Sequence, residues 1–131
     1  MYVLDTYARI EYFSNGENSA RIADLLESRE ELFTPTIVLA EAKRKLIREL
    51  SKDRKAVLAD MLRFMKTRSL IVDLNWVIAE KAAEIVDTTL PDKSNFGLAD
   101  AIVLATARTL GAKVVTGDEH FKGLKDVVFI K

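Results

Sequence analysis

Gly97-Leu98-Ala99-Asp100-Ala101-Ile102-Val103-Leu104-Ala105-Thr106-Ala107 places one carboxylate in a run that carries no other charge back to Ser94. Read as a helix, a segment this apolar is expected to be buried nearly all round. An ionised carboxylate is too costly to leave alone in such surroundings. Asp100 is therefore expected to be protonated, paired with a cation or bound to a metal, and it is the first functional suspect. The alternative is a buried carboxylate satisfied by backbone donors or by an arginine. The helix is expected over 97–110, ending at Gly111, a normal C-terminal signal.

Outward from that helix the chain alternates strands and helices. Residues 113–116 read as a strand, Gly117-Asp118 as a turn, 119–122 as one helical turn, and 127–130 as the last strand. Upstream, 87–95 with its Pro91 is the clearest loop, preceded by a helix over 76–86 capped by Asn75 and a strand over 70–74. Helices are expected over 36–50 and from Ser51 or Asp53 to about Lys66. Phe33-Thr34 before Pro35 fits a very short strand, and 19–29 has Ile22, Leu25 and Leu26 at helical spacing. The chain opens with the strand Tyr2-Val3-Leu4, and Asp5-Thr6 is placed to cap a helix from about Tyr7. This order implies an α/β fold with a mostly parallel sheet covered on both faces.

Composition bounds the rest. At 131 residues, 49% of them hydrophobic, the chain fits one domain with a core large enough to fold unaided. The absence of cysteine excludes disulfides, thiolate zinc sites and cysteine nucleophiles. No apolar run reaches membrane-spanning length and no signal-peptide pattern stands at the N-terminus, so a cytoplasmic protein is expected. Net charge is zero, which argues against an all-over nucleic-acid-binding surface. The charge is unevenly spread, however. Residues 1–42 carry three basic and eight acidic side chains (net −5), 43–68 carry ten and three (net +7), and 69–131 carry seven and nine (net −2). The basic middle reads either as solvated helix faces or as a supply of phosphate contacts.

Ligands of open parallel sheets sit beyond the carboxyl ends of the strands, where Asp5 and Asp118 are expected. A helix N-cap role explains either one equally well. Glu41 is the only charge in Thr36-Ile37-Val38-Leu39-Ala40-Glu41-Ala42, with pairing to Lys45 at i+4 as its plainer explanation. Together, Asp5, Glu41, Asp100 and Asp118 can converge on one rim of the sheet. Carboxylates that close repel one another unless a cation is present. An all-oxygen set without His or Cys favours Mg²⁺ or Mn²⁺ over zinc, and such ions suit phosphodiester hydrolysis.

Four stretches then carry a resemblance: Val3-Leu4-Asp5-Thr6, Thr36-Ile37-Val38-Leu39-Ala40-Glu41, 98–107 around Asp100, and Val115-Thr116-Gly117-Asp118-Glu119-His120-Phe121. In this order they resemble the four acidic blocks of PIN-domain ribonucleases, and the short chain resembles the VapC toxins of toxin–antitoxin pairs. The resemblance implies a three-layer α/β/α sandwich on a five-stranded parallel sheet, with Asp5, Glu41, Asp100 and Asp118 as the Mg²⁺- or Mn²⁺-binding set. It also implies a supporting hydroxyl at Thr116, an RNA substrate, a homodimer and an antitoxin partner. Thr6 matches a position beside the first acid often held by Ser or Thr. A domain of this kind that binds RNA or protein without cutting, and a stand-alone RNA-processing nuclease, are the alternatives.

Other chemistries fare worse. The five glycines form no phosphate loop. His120, the only histidine, sits among neighbours that suggest a surface turn, and no catalytic role is expected for it. A phosphatase using Asp5 as nucleophile would need a second Asp at position 7, which is Tyr. Trp76, Phe64, Met61 and Met65 at helical spacing are expected to serve a core or an interface. The apolar stripe on the helices from Ala42 to Met65 suits a partner helix or a second copy of the chain. Lys43, Arg44 and Arg48, one or two turns beyond Glu41, are expected to border an RNA path, because an acidic centre repels phosphate and approach must be guided by cations elsewhere.

Overall fold

In a computed structural model, residues 1–50, 52–89 and 96–131 are described. The elements run β1 (Tyr2–Leu4), α1 (Thr6–Phe13), α2 (Ser19–Glu27), β2 (Leu32–Pro35), α3 (Thr36–Glu49), a 3-10 turn (Lys52–Arg54), α4 (Lys55–Arg68), β3 (Leu70–Val72), α5 (Trp76–Thr89), α6 (Leu98–Leu110), β4 (Lys113–Thr116), a 3-10 turn (Glu119–Phe121) and β5 (Val127–Phe129). The strands form one sheet in the order β3-β2-β1-β4-β5, and every pairing is parallel rather than most of them. With helices on both faces this is the three-layer α/β/α sandwich implied by the acidic blocks.

Side chains alternate across a strand, and here β1, β2, β4 and β5 each feed two cores. Val3, Phe33 and Val114 pack with Val38 and Leu46 of α3, Ile78 and Ala82 of α5, and Val103 and Leu104 of α6. Leu4, Leu32 and Val115 point the other way, against Ala8 of α1 and Ile22 and Leu26 of α2. Each fully buried aliphatic side chain contributes roughly 1.5–3 kcal/mol, which explains why strands of three or four residues suffice. α4 stands at the margin, with Met65 in the first core and Phe64 stacked on Tyr12 beside the second. Arg68 ends α4 by donating to the carbonyls of Leu26 and Ser28, so one cation of the basic segment closes off α2 rather than facing a ligand.

Several expectations need correction. The helix expected over 76–86 continues to Thr89, so Asp87 and Thr88 are helical and not loop. The Thr88 hydroxyl bonds back to the Glu84 carbonyl at 3.1 Å, and Ile85 is buried, so packing overrides the weak propensity of Asp and Thr. The rest of that expected loop, 90–95, lies outside the described residues, as does Ser51. The α6 helix is buried all round only over its middle: 103–107 are buried, whereas Leu98 is 59% exposed and Asp100 half-buried. Gly111 ends it with φ of 67°, its N–H donating to the Ala107 and Arg108 carbonyls. Of the residues expected in a core or an interface, Met65 is fully buried in the core, and Trp76, 76% exposed, is left with the interface alternative. Among the described residues no helix is long and apolar enough to cross a membrane.

Candidate metal centre

β1 and β4 lie side by side, with β2 and β3 on one flank and β5 on the other, so the strand order reverses direction between them. In open parallel sheets ligands sit at this switch point, past the carboxyl ends of the strands. The register Leu4↔Val115 carries one residue further and sets Asp5 beside Thr116. The buried Thr116 hydroxyl donates to Asp5 Oδ2 at 2.6 Å and accepts from the Asp118 N–H at 2.9 Å, so one side chain ties the ends of both strands together. Gly117 between them has no room for a side chain, since a Cβ would run into the Tyr7 ring of α1.

The residues that cap α1 and the following 3-10 turn are the same ones that meet at the strand ends. Asp5 caps α1, its Oδ1 accepting from the Ala8 N–H at 3.0 Å, while its other oxygen takes the Thr116 hydroxyl. Asp118 caps the 3-10 turn after β4, its Oδ1 accepting from the His120 N–H at 3.0 Å. Asp100 stands in the first turn of α6 and accepts from the Gly97 N–H at 3.3 Å. His120 projects into the same space, its Nδ1 at 3.3 Å from Asp100 Oδ2 and 3.6 Å from Asp118 Oδ1. One ligand atom each from Asp100, Asp118 and His120 lies within 4.8 Å of the others.

Burial pushes the Asp5 carboxyl up to about 7, with the Asp118 and Asp100 charges adding to the rise and the Thr116 and Ala8 hydrogen bonds opposing it. Asp100 is raised as well, first by burial and further by Asp118, against the Gly97 N–H and His120. Among the described residues no lysine or arginine pairs with Asp5, Asp100 or Asp118. A set of converging, partly desolvated carboxylates with no lysine or arginine partner among the described residues fits a hard divalent ion. Asp5, Asp100 and Asp118 are the candidates to hold it, with Asp100 and Asp118 in the tightest group of possible ligand atoms.

Glu41 is brought only to the margin. Its Oε1 accepts from the Thr6 hydroxyl at 2.9 Å, which links it to the residue after Asp5, and no ion pair joins it to Lys45 among the described residues. Thr6 and Glu41 line a cleft of about 380 Å³ together with Arg44, Lys45 and Arg48. Lys43 lies round the helix from them, at a separate groove between α3 and α4. The sequence reading placed His120 on a surface turn and did not place it beside the acids. The available signal was its place two residues after an acid that caps the turn bearing it.

A parallel α/β/α domain with an acidic centre at its switch point is the class that fold and site define. Residues 2–127 match the PIN domain family, and the chain belongs to it. Comparison with curated proteins gave no match. Among solved structures, a toxin–antitoxin complex from Klebsiella pneumoniae is 20% identical, with a TM-score of 0.78, 100% of this chain covered and 98% of that one. VapBC2 from Rickettsia felis, bound to a DNA fragment from its promoter, gives 22%, 0.74, 98% and 96%. The Mycobacterium tuberculosis toxin VapC20, which cleaves the Sarcin-Ricin loop, gives 18%, 0.75, 97% and 97%. At such identities the likeness shows the fold.

Proposed function

We propose that this chain is a single nuclease domain over residues 1–131 that hydrolyses RNA phosphodiester bonds with Mg²⁺ or Mn²⁺, acting in the cytoplasm as the toxin of a toxin–antitoxin pair. The observation that carries the reading is the convergence of Asp5, Asp100 and Asp118 where β1 and β4 end, with no lysine or arginine paired to them among the described residues. A divalent ion there supplies Lewis acidity toward a phosphoryl oxygen and makes water a better nucleophile. The chain's own residues set the geometry. Thr116 fixes the Asp5 carboxyl and the Asp118 backbone in one hydrogen-bonded unit, and the α1 N-terminus holds the other Asp5 oxygen. Asp100 closes the set from α6, and Glu41, held by Thr6, stands where the RNA leaves the centre. Arg44 and Arg48 line the same cleft as Glu41 and are placed to neutralise backbone phosphates.

Two features support partners. The α3–α4 groove, about 440 Å³, has Ile47, Leu50 and Leu58 in its wall and Lys43, Arg54 and Lys55 beside them. That composition suits an antitoxin segment bearing apolar and acidic side chains, and the Klebsiella neighbour comes from a toxin–antitoxin complex. The exposed Leu74, Trp76 and Val77 suit a second copy of the chain.

The test is cleavage of a mixed-sequence RNA by the purified protein. EDTA is expected to stop it, Mg²⁺ or Mn²⁺ to restore it, and Asp100→Asn to lower the rate by about a hundredfold or more with an unchanged circular dichroism spectrum. Activity that survives chelation, or an undiminished variant, contradicts the assignment. RNA that is bound but never cut makes the chain a binding domain instead. A small gene for a DNA-binding protein directly upstream supports the toxin role, and its absence favours stand-alone RNA processing.

A further inference from the structure

The proposed ribonuclease centre was expected to be all oxygen, yet an imidazole reaches into it. The 3-10 turn Glu119–Phe121 that carries His120 is held at both ends. Asp118 caps its start at 3.0 Å, and Phe121 is buried at its end against Phe96, ring centroids 5.3 Å apart. The backbone of His120 is thereby fixed beside the acids. Its side chain is 43% exposed, and so has room to turn a ring nitrogen toward the centre.

The separations match what one ion requires. Ligands at right angles around an ion with bonds of about 2.1 Å stand about 3 Å apart, and opposite ligands about 4.2 Å. Nδ1 lies 3.3 and 3.6 Å from oxygens of Asp100 and Asp118, with all three ligand atoms within 4.8 Å of one another. We propose that His120 is a nitrogen ligand of the divalent ion held by Asp100 and Asp118, and that it tilts the centre toward first-row transition ions over Mg²⁺. The chemical reason is ligand softness: Mg²⁺ prefers carboxylate and water oxygens, whereas imidazole adds affinity for ions along the series from Mn²⁺ through Co²⁺ to Cu²⁺. This rests on the metal reading above.

Co²⁺ and Mg²⁺ serve as probes, titrated by calorimetry into the native protein, His120→Ala and Asp100→Asn. His120→Ala is expected to weaken Co²⁺ about tenfold or more while Mg²⁺ changes less than about threefold. Asp100→Asn is expected to weaken both ions. Because the chain has one histidine, its imidazole proton resonances are unambiguous, and Co²⁺ is expected to move them by a large contact shift. An equal loss of both ions in His120→Ala, no loss of either, or imidazole resonances without a contact shift overturns the ligand role. If Asp100→Asn still abolishes binding in that case, the metal centre stands without His120. If the native protein binds neither ion, both readings fall.

Discussion

Two buried ionisable side chains sit four residues apart at the start of α1, and the chain treats them differently. Asp5 turns toward β4, where both of its oxygens are hydrogen-bonded and two further carboxylates crowd it. Arg9 turns the opposite way along the sheet, its Nη2 donating to the Thr34 hydroxyl at 2.5 Å and the Ser69 hydroxyl at 3.2 Å. Its Nε and Nη1 have no hydrogen-bond partner among the described residues, and burial, with some help from Arg68, lowers its pKa to about 10. A cation and an anion, each costly to bury, are thus held apart on one helix and never neutralise each other. The difference teaches that the buried cation of α1 does not neutralise the acidic centre, which leaves that charge for something from outside.

The largest effect that can break this comparison is at Asp5. Its carboxyl titrates near 7 in the folded protein against about 3.9 in an unfolded chain, so between those values only the folded state holds the proton. The metal-free protein is therefore expected to lose stability as pH rises from about 4 through about 7. Asp5→Asn removes that dependence and keeps an acceptor for the Ala8 N–H. In EDTA at pH 8 it is expected to be about 2–4 kcal/mol more stable than the native protein by urea titration, and near equal at pH 4. The flattening is partial, because Asp100 is raised in both proteins. A less stable Asp5→Asn at pH 8 means that capping outweighs charge crowding.

An intermediate effect concerns cations outside the centre. Replacing Arg44 and Arg48 with Ala together is expected to weaken binding of any single-stranded RNA about tenfold. It should also reduce the salt slope by about 1.4, the release from two phosphates. Lys43→Ala, on the groove side of α3, sharpens the assignment if it changes less than either arginine alone. Unchanged binding and slope in the double variant place those arginines in a protein interface or in solvent.

The smallest effect is expected at Arg9. In Arg9→Met the Thr34 and Ser69 hydroxyls keep their mutual hydrogen bond at 2.7 Å, and Ser69 keeps the Met65 carbonyl at 2.5 Å, so no polar group is stranded. Stability by urea titration is expected to stay level or rise by about 1 kcal/mol. A loss above about 3 kcal/mol shows that the guanidinium has partners that make it a structural post.

Much of this was legible because each acid lies at an element boundary that the sequence punctuates. Asp5 follows an apolar strand, Asp118 follows Thr116-Gly117, and Asp100 opens the most apolar helix. What sequence could not separate was capping from a place at the acidic rim, and the structure shows why: Asp5 and Asp118 each cap the turn that follows them and lie at the ends of β1 and β4 as well. The burial of Asp100 was overstated because helical periodicity says nothing about where along the axis solvent reaches, and its first turn lies at the open rim. His120 reads from sequence as a surface-turn residue, which its exposure bears out, while its approach to Asp100 depends on how the β4 end meets α6 in three dimensions. The extension of α5 through Asp87 and Thr88 was hidden by poor helix formers that tertiary packing overrides.

The central claim is that the charge at the β1–β4 rim is reserved for a divalent ion, and thermal unfolding at pH 7.5 with and without Mn²⁺ tests it most directly. An ion that binds only the folded state stabilises by about 2.7 kcal/mol at a hundred times its dissociation constant. The account predicts a rise in Tm of several degrees for the native protein and little or none for Asp100→Asn. No rise in the native protein, or an equal rise in both, contradicts it.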